Sequence, residues 1–304
     1  MGNDMEELDY ANAIEINGLC KHYDGFSLRE VDLAVPRGSI MGFVGQNGAG
    51  KTTTIRAILN LISKDAGEIR VLGMDHVEQE NAIKERVAVI FDEIPFHDAL
   101  TPRQLSQVLK GIYSRWQPQV YAGYLERFGL PQNKKIGQLS KGMKMKLQIA
   151  AALSHQVELL IMDEATAGLD PVVRSEMLRV FLEYMQDERH SILMSSHITS
   201  DLEKIADSVT YIHQGRILLS GYKDDILDRH GLLKCKNADL ELVEPQDCVS
   251  THRTEYGADV LVADRELCRH KYPELLVEPA TLDEILLYYV RAGGLTDARR
   301  EWTL

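Results

Sequence analysis

The stretch Gly45-Gln46-Asn47-Gly48-Ala49-Gly50-Lys51-Thr52 decides the fold, because it matches the pattern GxxxxGK[ST] at every fixed position. An apolar run, 40–44, precedes it, and a stretch of helical character, 52–61, follows it. A strand, a glycine-rich turn and a helix in this order close backbone N–H groups around phosphate. The sequence therefore predicts a P-loop nucleotide-binding domain.

The residue types in this loop suit a bound nucleoside triphosphate. Glycines allow the backbone to approach the phosphates closely, and the start of the following helix favours negative charge. Lys51 is expected to place a point charge on the phosphates, and the Thr52 hydroxyl is expected to bind Mg²⁺. The residues predicted to contact the nucleotide here are Gly45, Asn47, Gly48, Ala49, Gly50, Lys51, Thr52 and Thr53.

A second group of candidate residues follows another apolar run. Residues 159–162 are apolar at consecutive positions, as in a strand buried on both faces of a parallel sheet, and Asp163 and Glu164 come directly after them. In a P-loop enzyme, Asp163 would hold Mg²⁺ through its water shell, and Glu164 would polarise the attacking water. These two carboxylates predict hydrolysis of the nucleotide.

The motifs that follow the loop distinguish between classes of P-loop protein. A guanine-specific GTPase needs Asn-Lys-x-Asp, but the chain has Asn133-Lys134-Lys135-Ile136. Leu139-Ser140-Lys141-Gly142 instead precedes a helical stretch and then the strand that ends in two carboxylates. Three further features accompany these motifs: Tyr23 before the phosphate loop, Ala167-Gly168-Leu169-Asp170 after the carboxylates, and His197 after the next strand. Together, in this order along the chain, the motifs resemble the nucleotide-binding domain of ABC transporters. The resemblance covers residues 13–221 and is strongest to the bacterial multidrug and antimicrobial-peptide exporter type.

The resemblance implies an α/β fold with a RecA-like parallel sheet, an antiparallel β subdomain and a helical subdomain inserted at about 93–155. Strands are predicted at 39–44, 87–91, 158–162 and 191–195, and a hairpin at 211–218 turns at Gln214-Gly215. Residues 222–304 are expected to form a small α+β accessory domain, with strands at 260–262 and 275–277. A capping box at 281–284 predicts a final helix over 282–291.

The resemblance also assigns roles to single residues. Tyr23 would stack on adenine, and Asp170 would lie in the loop that borders the nucleotide. Ser140 and Gly142 would face the γ-phosphate of ATP held by another subunit, and His197 would be the switch histidine. The residues assigned to catalysis are Lys51, Glu164 and His197. The family therefore implies a head-to-tail dimer, a homodimer or a pair of close paralogues, around two ATP with Mg²⁺.

The chain departs from the family's pattern at two places. The signature reads Leu-Ser-Lys-Gly-Met, so that Lys141 replaces a glycine and Met143 replaces a glutamine. Two interpretations of Lys141 are open, a cationic contact with phosphate or with the partner subunit, and a solvated side chain. The solvated side chain is favoured, as it is for Lys144 and Lys146. Asp92 occupies the position of the Q-loop glutamine, and its carboxylate leads to the hypothesis that it contributes to Mg²⁺ binding.

Composition narrows the choice of partners. A net charge of −12 argues against nucleic acid as a partner. The acidic N-terminus predicts no signal peptide, and no apolar run approaches the roughly 20 residues that a membrane span needs. A transmembrane permease encoded separately would then supply the membrane part, with this chain peripheral on the cytoplasmic face of the membrane.

The sequence is compatible with three functions. The favoured one is the ATPase subunit of a transporter, by analogy an exporter of peptides or drugs. A soluble ABC ATPase acting on ribosomes or DNA is disfavoured by the single phosphate loop, the absence of a heptad run and the acidic charge. An ATP-sensing regulatory module without turnover is disfavoured by the intact set Lys51, Asp163, Glu164 and His197.

Overall fold

The computed structural model describes residues 10–292 of the 304-residue chain, so the prediction about a signal peptide lies outside the described residues. The strands are β1 (Asn12–Tyr23), β2 (Phe26–Pro36), β3 (Ile40–Val44), β4 (Ala66–Val71), β5 (Met74–Asp75), β6 (Val87–Phe91), β7 (Leu159–Asp163), β8 (Ser191–Ser196), β9 (Ser208–His213), β10 (Arg216–Tyr222), β11 (Gly231–Cys235), β12 (Cys248–Arg253), β13 (Ala258–Val262) and β14 (Leu276–Pro279). The helices are α1 (Lys51–Ile58), α2 (Glu80–Lys84), α3 (Pro102–Ile112), α4 (Pro118–Arg127), α5 (Lys141–Ala152), α6 (Pro171–Tyr184), α7 (Thr199–Ile205), α8 (Lys223–Arg229), α9 (Arg265–Lys271) and α10 (Leu282–Arg291).

The central sheet has the order β10-β9-β3-β8-β7-β6, and its strands are parallel except for β10. Every residue of β3, β7 and β8 is buried, which explains the consecutive apolar residues within these strands. The hairpin β9–β10 turns at Gln214 and Gly215 with φ of 47° and 75°, as a two-residue turn requires. Its predicted position is confirmed.

Neighbouring residues of β7 belong to two different cores. Leu160 and Met162 pack in the larger cluster, which includes side chains of α3 to α7. Leu159 and Ile161 pack in the second cluster with α1 and the antiparallel sheet, which has the order β2-β1-β4-β5. The fold is therefore the predicted α/β P-loop architecture, with layers on both faces of the parallel sheet.

Helices α3, α4 and α5 lie between β6 and β7. Thr101 starts α3 with a capping box to Gln104, and Pro102 occupies the first helical position. Ser140 starts α5, where its hydroxyl accepts the N–H of Met143 at 3.3 Å. The predicted helix start at the Leu139-Ser140-Lys141-Gly142 motif is confirmed.

The chain after Tyr222 forms a separate antiparallel sheet with the order β12-β13-β11-β14 and its own small core. The capping box of Thr281 and Glu284 starts α10, which spans the predicted residues. The Glu203 carboxylate accepts the N–H of Leu282 at 3.0 Å, so this helix is joined to α7 of the main core. None of the helices in residues 10–292 is long and apolar enough to cross a membrane.

Candidate nucleotide site

The glycine-rich loop joins the carboxyl end of β3 to α1, and its shape depends on its glycines. A Cβ atom at Gly45 would lie 2.5 Å from the Ile212 carbonyl oxygen. Gly48 and Gly50 have φ of 79° and 120°, which L-residues rarely adopt. Asn47 and Gly48 are exposed, so this part of the loop faces solvent. Three further residues were predicted to contact the nucleotide. Ala49, in the loop, is buried, and Thr52 and Thr53, in the first turn of α1, are half-buried.

Lys51 is the buried cation of this loop, with 5% of its side chain exposed. Its ammonium group donates to the carbonyl oxygens of Gly45 at 2.5 Å and Gln46 at 3.2 Å. The same ammonium group also lies 2.9 Å from Oε1 of Glu164, the residue that directly follows β7. A buried charge requires such partners, and a phosphate can replace them.

Glu164 lies between two catalytic candidates. Its Oε2 is 2.5 Å from Nδ1 of His197, while Oε1 faces Lys51 without making a hydrogen bond of good geometry. The residue has φ of 55°, a strained backbone conformation of the kind that concentrates at functional sites. The structure thus brings together the three residues that the sequence assigns to catalysis, and leaves one carboxylate oxygen buried with capacity for a further partner.

Asp163 is held by a residue that the sequence analysis did not identify. The Ser195 hydroxyl donates to Oδ1 of Asp163 at 2.7 Å and accepts the N–H of Glu164 at 3.1 Å. Strands β7 and β8 are in register here, with Asp163 opposite Ser195. The sequence signal that could have identified Ser195 is a hydroxyl residue at the carboxyl end of a buried strand, next to the strand that carries Asp163.

The oxygen groups of Thr52 and Asp163 are the kind of ligand that Mg²⁺ takes. Mg²⁺ needs only one or two protein ligands when phosphates and water supply the rest. Accordingly, the described part of the chain contains no cluster of three or more Asp, Glu, His or Cys side chains placed to hold a metal. Thr52 lies in the first turn of α1 and Asp163 at the end of β7, and their oxygen donors fit Mg²⁺ bound together with a nucleotide.

The remaining predicted residues lie at the end of β1 and at the starts of α5 and α6. Tyr23 ends β1 with 47% of its surface exposed, so its ring is accessible for stacking. Asp170 starts α6, where its carboxylate accepts the N–H groups of Val172 and Val173 at 3.0 Å each. Ser140 is exposed, and a Cβ at Gly142 would lie 3.4 Å from Val173. The described contacts of Ser140 and Gly142 are thus with α5 and α6 and not with the loop that carries Lys51.

Lys141 has a partner that the sequence analysis did not identify. Its side chain is exposed, as expected, and its ammonium group lies 2.6 Å from Oδ1 of Asp92. Asp92 follows β6 and supplies a carboxylate where the family's pattern has a neutral glutamine. Lys144 is also paired, with Asp98 at 3.6 Å. The role of Asp92 in Mg²⁺ binding stays a prediction.

Gln148 is a second residue that the sequence analysis missed. Its amide group donates to the Phe91 carbonyl oxygen at 3.0 Å, and its Oε1 accepts the Phe91 N–H at 3.3 Å. Gln148 is buried, so both bonds are shielded from water. They attach the end of β6, directly before Asp92, to α5.

Comparison with known proteins gives a consistent result. A family model described as ABC transporter matches residues 28–167. The ABC transporter ATP-binding protein NatA of Bacillus subtilis (strain 168) is 34% identical over 208 residues, which are 66% of this chain and 84% of NatA. The bacitracin transport ATP-binding protein BcrA of Bacillus licheniformis is 38% identical over 194 residues, which are 63% of each chain.

A solved structure described as an ATP binding subunit of an ABC transporter is similar over 70% of this chain and 91% of its own. The TM-score is 0.64 and the sequence identity is 28%. The phosphate loop, the paired carboxylates and the histidine therefore lie in a fold shared with proteins of one family. The chain belongs to the ABC transporter family, as one of its ATP-binding, ATP-hydrolysing subunits.

Proposed function

We propose that this chain powers a separately encoded membrane permease that exports peptides or drugs. The observation that carries the proposal is the convergence of Lys51 and His197 on the two oxygens of Glu164, at 2.9 and 2.5 Å. This arrangement provides a phosphate-binding cation and an oriented carboxylate in one site, as ATP hydrolysis requires. The similarity to BcrA, which is named for bacitracin transport, supports the class of substrate.

The chain's own residues suggest how hydrolysis proceeds. Lys51 binds the phosphates of ATP, and its charge is thereby drawn away from Glu164. Glu164 then accepts a hydrogen bond from the attacking water, while His197 holds its second oxygen and fixes the direction of the carboxylate. Mg²⁺, when bound, neutralises charge on the phosphates. Thr52 and Asp163 would hold it, with Ser195 fixing one Asp163 oxygen so that the other is available.

A dimer completes the site in this proposal. Ser140 and Gly142 begin a 12-residue helix whose N-terminal dipole and free N–H groups favour an anion. Both residues lie at the surface of the subunit, where the nucleotide of a second copy could reach them. Tyr23 and Asp170 would border the nucleotide from the two subunits. Two copies arranged head to tail would then enclose two ATP.

An apolar groove of about 360 Å³ is the proposed docking site for the permease. It lies between α1 and β6 on one side and α3 and α5 on the other, and its lining includes Leu59, Phe91, Phe96, Leu109 and Ile112. A short amphipathic helix can place its apolar face into such a groove. The permease would hold the subunit at the cytoplasmic face of the membrane, and closure of the ATP dimer would move the docked helix.

The test uses the purified chain with Glu164→Gln, which retains the shape of the carboxylate but not its charge. We expect sedimentation to show a dimer with ATP and a monomer without nucleotide, and ATP hydrolysis by the unmodified chain to be lost in the variant. A Glu164→Gln protein that remains monomeric with saturating ATP at high protein concentration would contradict the dimer. Co-purification of the chain with its permease, followed by stimulation of hydrolysis by a peptide or drug, tests the transport role.

A further inference from the structure

The two positions at which the chain departs from the family's pattern are in direct contact. Asp92 lies just after β6, and Lys141 is the first residue of α5, with 2.6 Å between Oδ1 and Nζ. Their side chains are 44% and 49% exposed, so the pair borders solvent. The negative charge of Asp92, at the glutamine position of the family's pattern, is therefore accompanied by the positive charge of Lys141, at the glycine position.

Stability does not explain this pair. An exposed ion pair contributes little to folding, and a cation in the first turn of a helix is opposed by the helix dipole. The pair is also unnecessary for joining β6 to α5, because Gln148 already binds both backbone groups of Phe91. Lys141 can therefore leave Asp92 without loss of the connection between these elements.

The position of Lys141 indicates where its charge can act. It adjoins Ser140 and Gly142 at the start of α5. Its ammonium group also borders the loop before α6, since a Cβ at Gly168 would lie 3.2 Å from Nζ. The lysine is thus at the surface that the proposed dimer brings onto the nucleotide of the second subunit.

We propose that Lys141 is an additional phosphate-binding residue of the composite ATP site, and that Asp92 competes with phosphate for it. This inference rests on the proposed head-to-tail dimer. In the free subunit Asp92 holds the ammonium group, and in the dimer the more highly charged phosphate displaces the carboxylate. Asp92 therefore weakens ATP-dependent association and sets the ATP concentration at which the subunits close.

The experiment measures the dimer dissociation constant by sedimentation with ATP, with every variant made in the Glu164→Gln protein. Asp92→Asn frees Lys141, and we expect it to tighten the dimer up to about 25-fold, which is about fivefold, the upper range for an exposed ion pair, at each of the two sites. Lys141→Gln should weaken the dimer by a similar factor, and Lys141→Arg should restore it. With Mg²⁺ saturating throughout, a further Asp92→Asn change in the Lys141→Gln protein should have no effect.

Asp98→Asn is the matched control, because it removes an equal charge from Lys144 on the same helix. It should leave the dissociation constant unchanged, and unfolding midpoints without nucleotide should agree among all variants. Weakening by Asp92→Asn, an unchanged constant, or additive effects of the two substitutions would overturn the competition. A parent protein that never dimerises with ATP would instead overturn the proposed dimer itself, and the two failures are thereby distinguished.

Discussion

The carboxylate of Asp92 and the ammonium group of Lys141 lie 2.6 Å apart, and each residue stands where the family's pattern has an uncharged one. The pair connects the end of a core strand to the start of the helix that carries Ser140 and Gly142. Asp92 thereby has a defined partner in the free subunit. Displacement of Lys141 by phosphate would leave the Asp92 carboxylate available to a cation.

The first prediction concerns Mg²⁺. If the Asp92 carboxylate contributes to the metal site, Asp92→Asn should raise the Mg²⁺ concentration for half-maximal ATP hydrolysis several-fold, since a neutral amide binds hard cations less well than a carboxylate. Steady-state hydrolysis at fixed ATP and varied Mg²⁺ measures this. Asp98→Asn is the control, and an Asp92→Asn profile identical to that of the unmodified chain excludes the metal role.

The second prediction concerns Ser195. Removal of its hydroxyl in Ser195→Ala releases Oδ1 of Asp163, whereas the N–H of Glu164 keeps the Ser195 carbonyl oxygen at 3.2 Å as its acceptor. We expect ATP hydrolysis to fall about 10- to 100-fold, which corresponds to the loss of one hydrogen bond to a charged group. Ser191→Ala removes a buried hydroxyl at the other end of the same strand and should change hydrolysis little. Equal effects of the two substitutions would contradict a role for Ser195 at the site.

The third prediction concerns the groove. Ile112 is 62% exposed and lines the groove, whereas Leu242 is 61% exposed and lies between β11 and β12. Ile112→Asp should abolish co-purification with the permease, because burial of an unpaired carboxylate in an apolar contact is costly. It should leave ATP hydrolysis by the isolated subunit unchanged. Leu242→Asp should retain the permease, and loss of the permease in both variants would show that the groove is not the specific contact.

The fourth prediction concerns pH. Burial lowers the pKa of His230, whose Nδ1 lies 2.8 Å from the Ile226 carbonyl oxygen and whose Nε2 lies 3.0 Å from the Tyr289 hydroxyl. Below about pH 6.5 the unfolded chain therefore binds a proton at this residue more readily than the folded chain does, and the free energy of unfolding should fall as pH decreases.

Chemical denaturation between pH 7 and pH 5 measures this slope. His230→Gln should reduce it by up to about 1.4 kcal/mol per pH unit, the contribution of one proton. The same substitution at the exposed His252 is the control and should keep the slope of the unmodified chain. A slope that is equal in both variants would show that His230 does not govern the acid sensitivity.

Local sequence patterns determined the elements and much of the fold. The glycine-rich loop needs only neighbouring residues to take its shape, and a continuous apolar run such as Leu159–Met162 identifies a strand buried on both faces. Caps at Thr281 and Ser140 place helix starts within a residue because their hydrogen bonds are local. The order of these motifs was sufficient to identify the family.

Only the tertiary structure decided which side chains meet. The parallel order β3-β8-β7 brings Lys51, His197 and Glu164 to one edge of the sheet, and the register of β7 against β8 places Ser195 on Asp163. Gln148 and Phe91 are 57 residues apart in the chain, and neither has a sequence signature. The Asp92–Lys141 pair arises in the same way. Its two charges lie in separate motifs, and only the packing of α5 against β6 brings them within bonding distance.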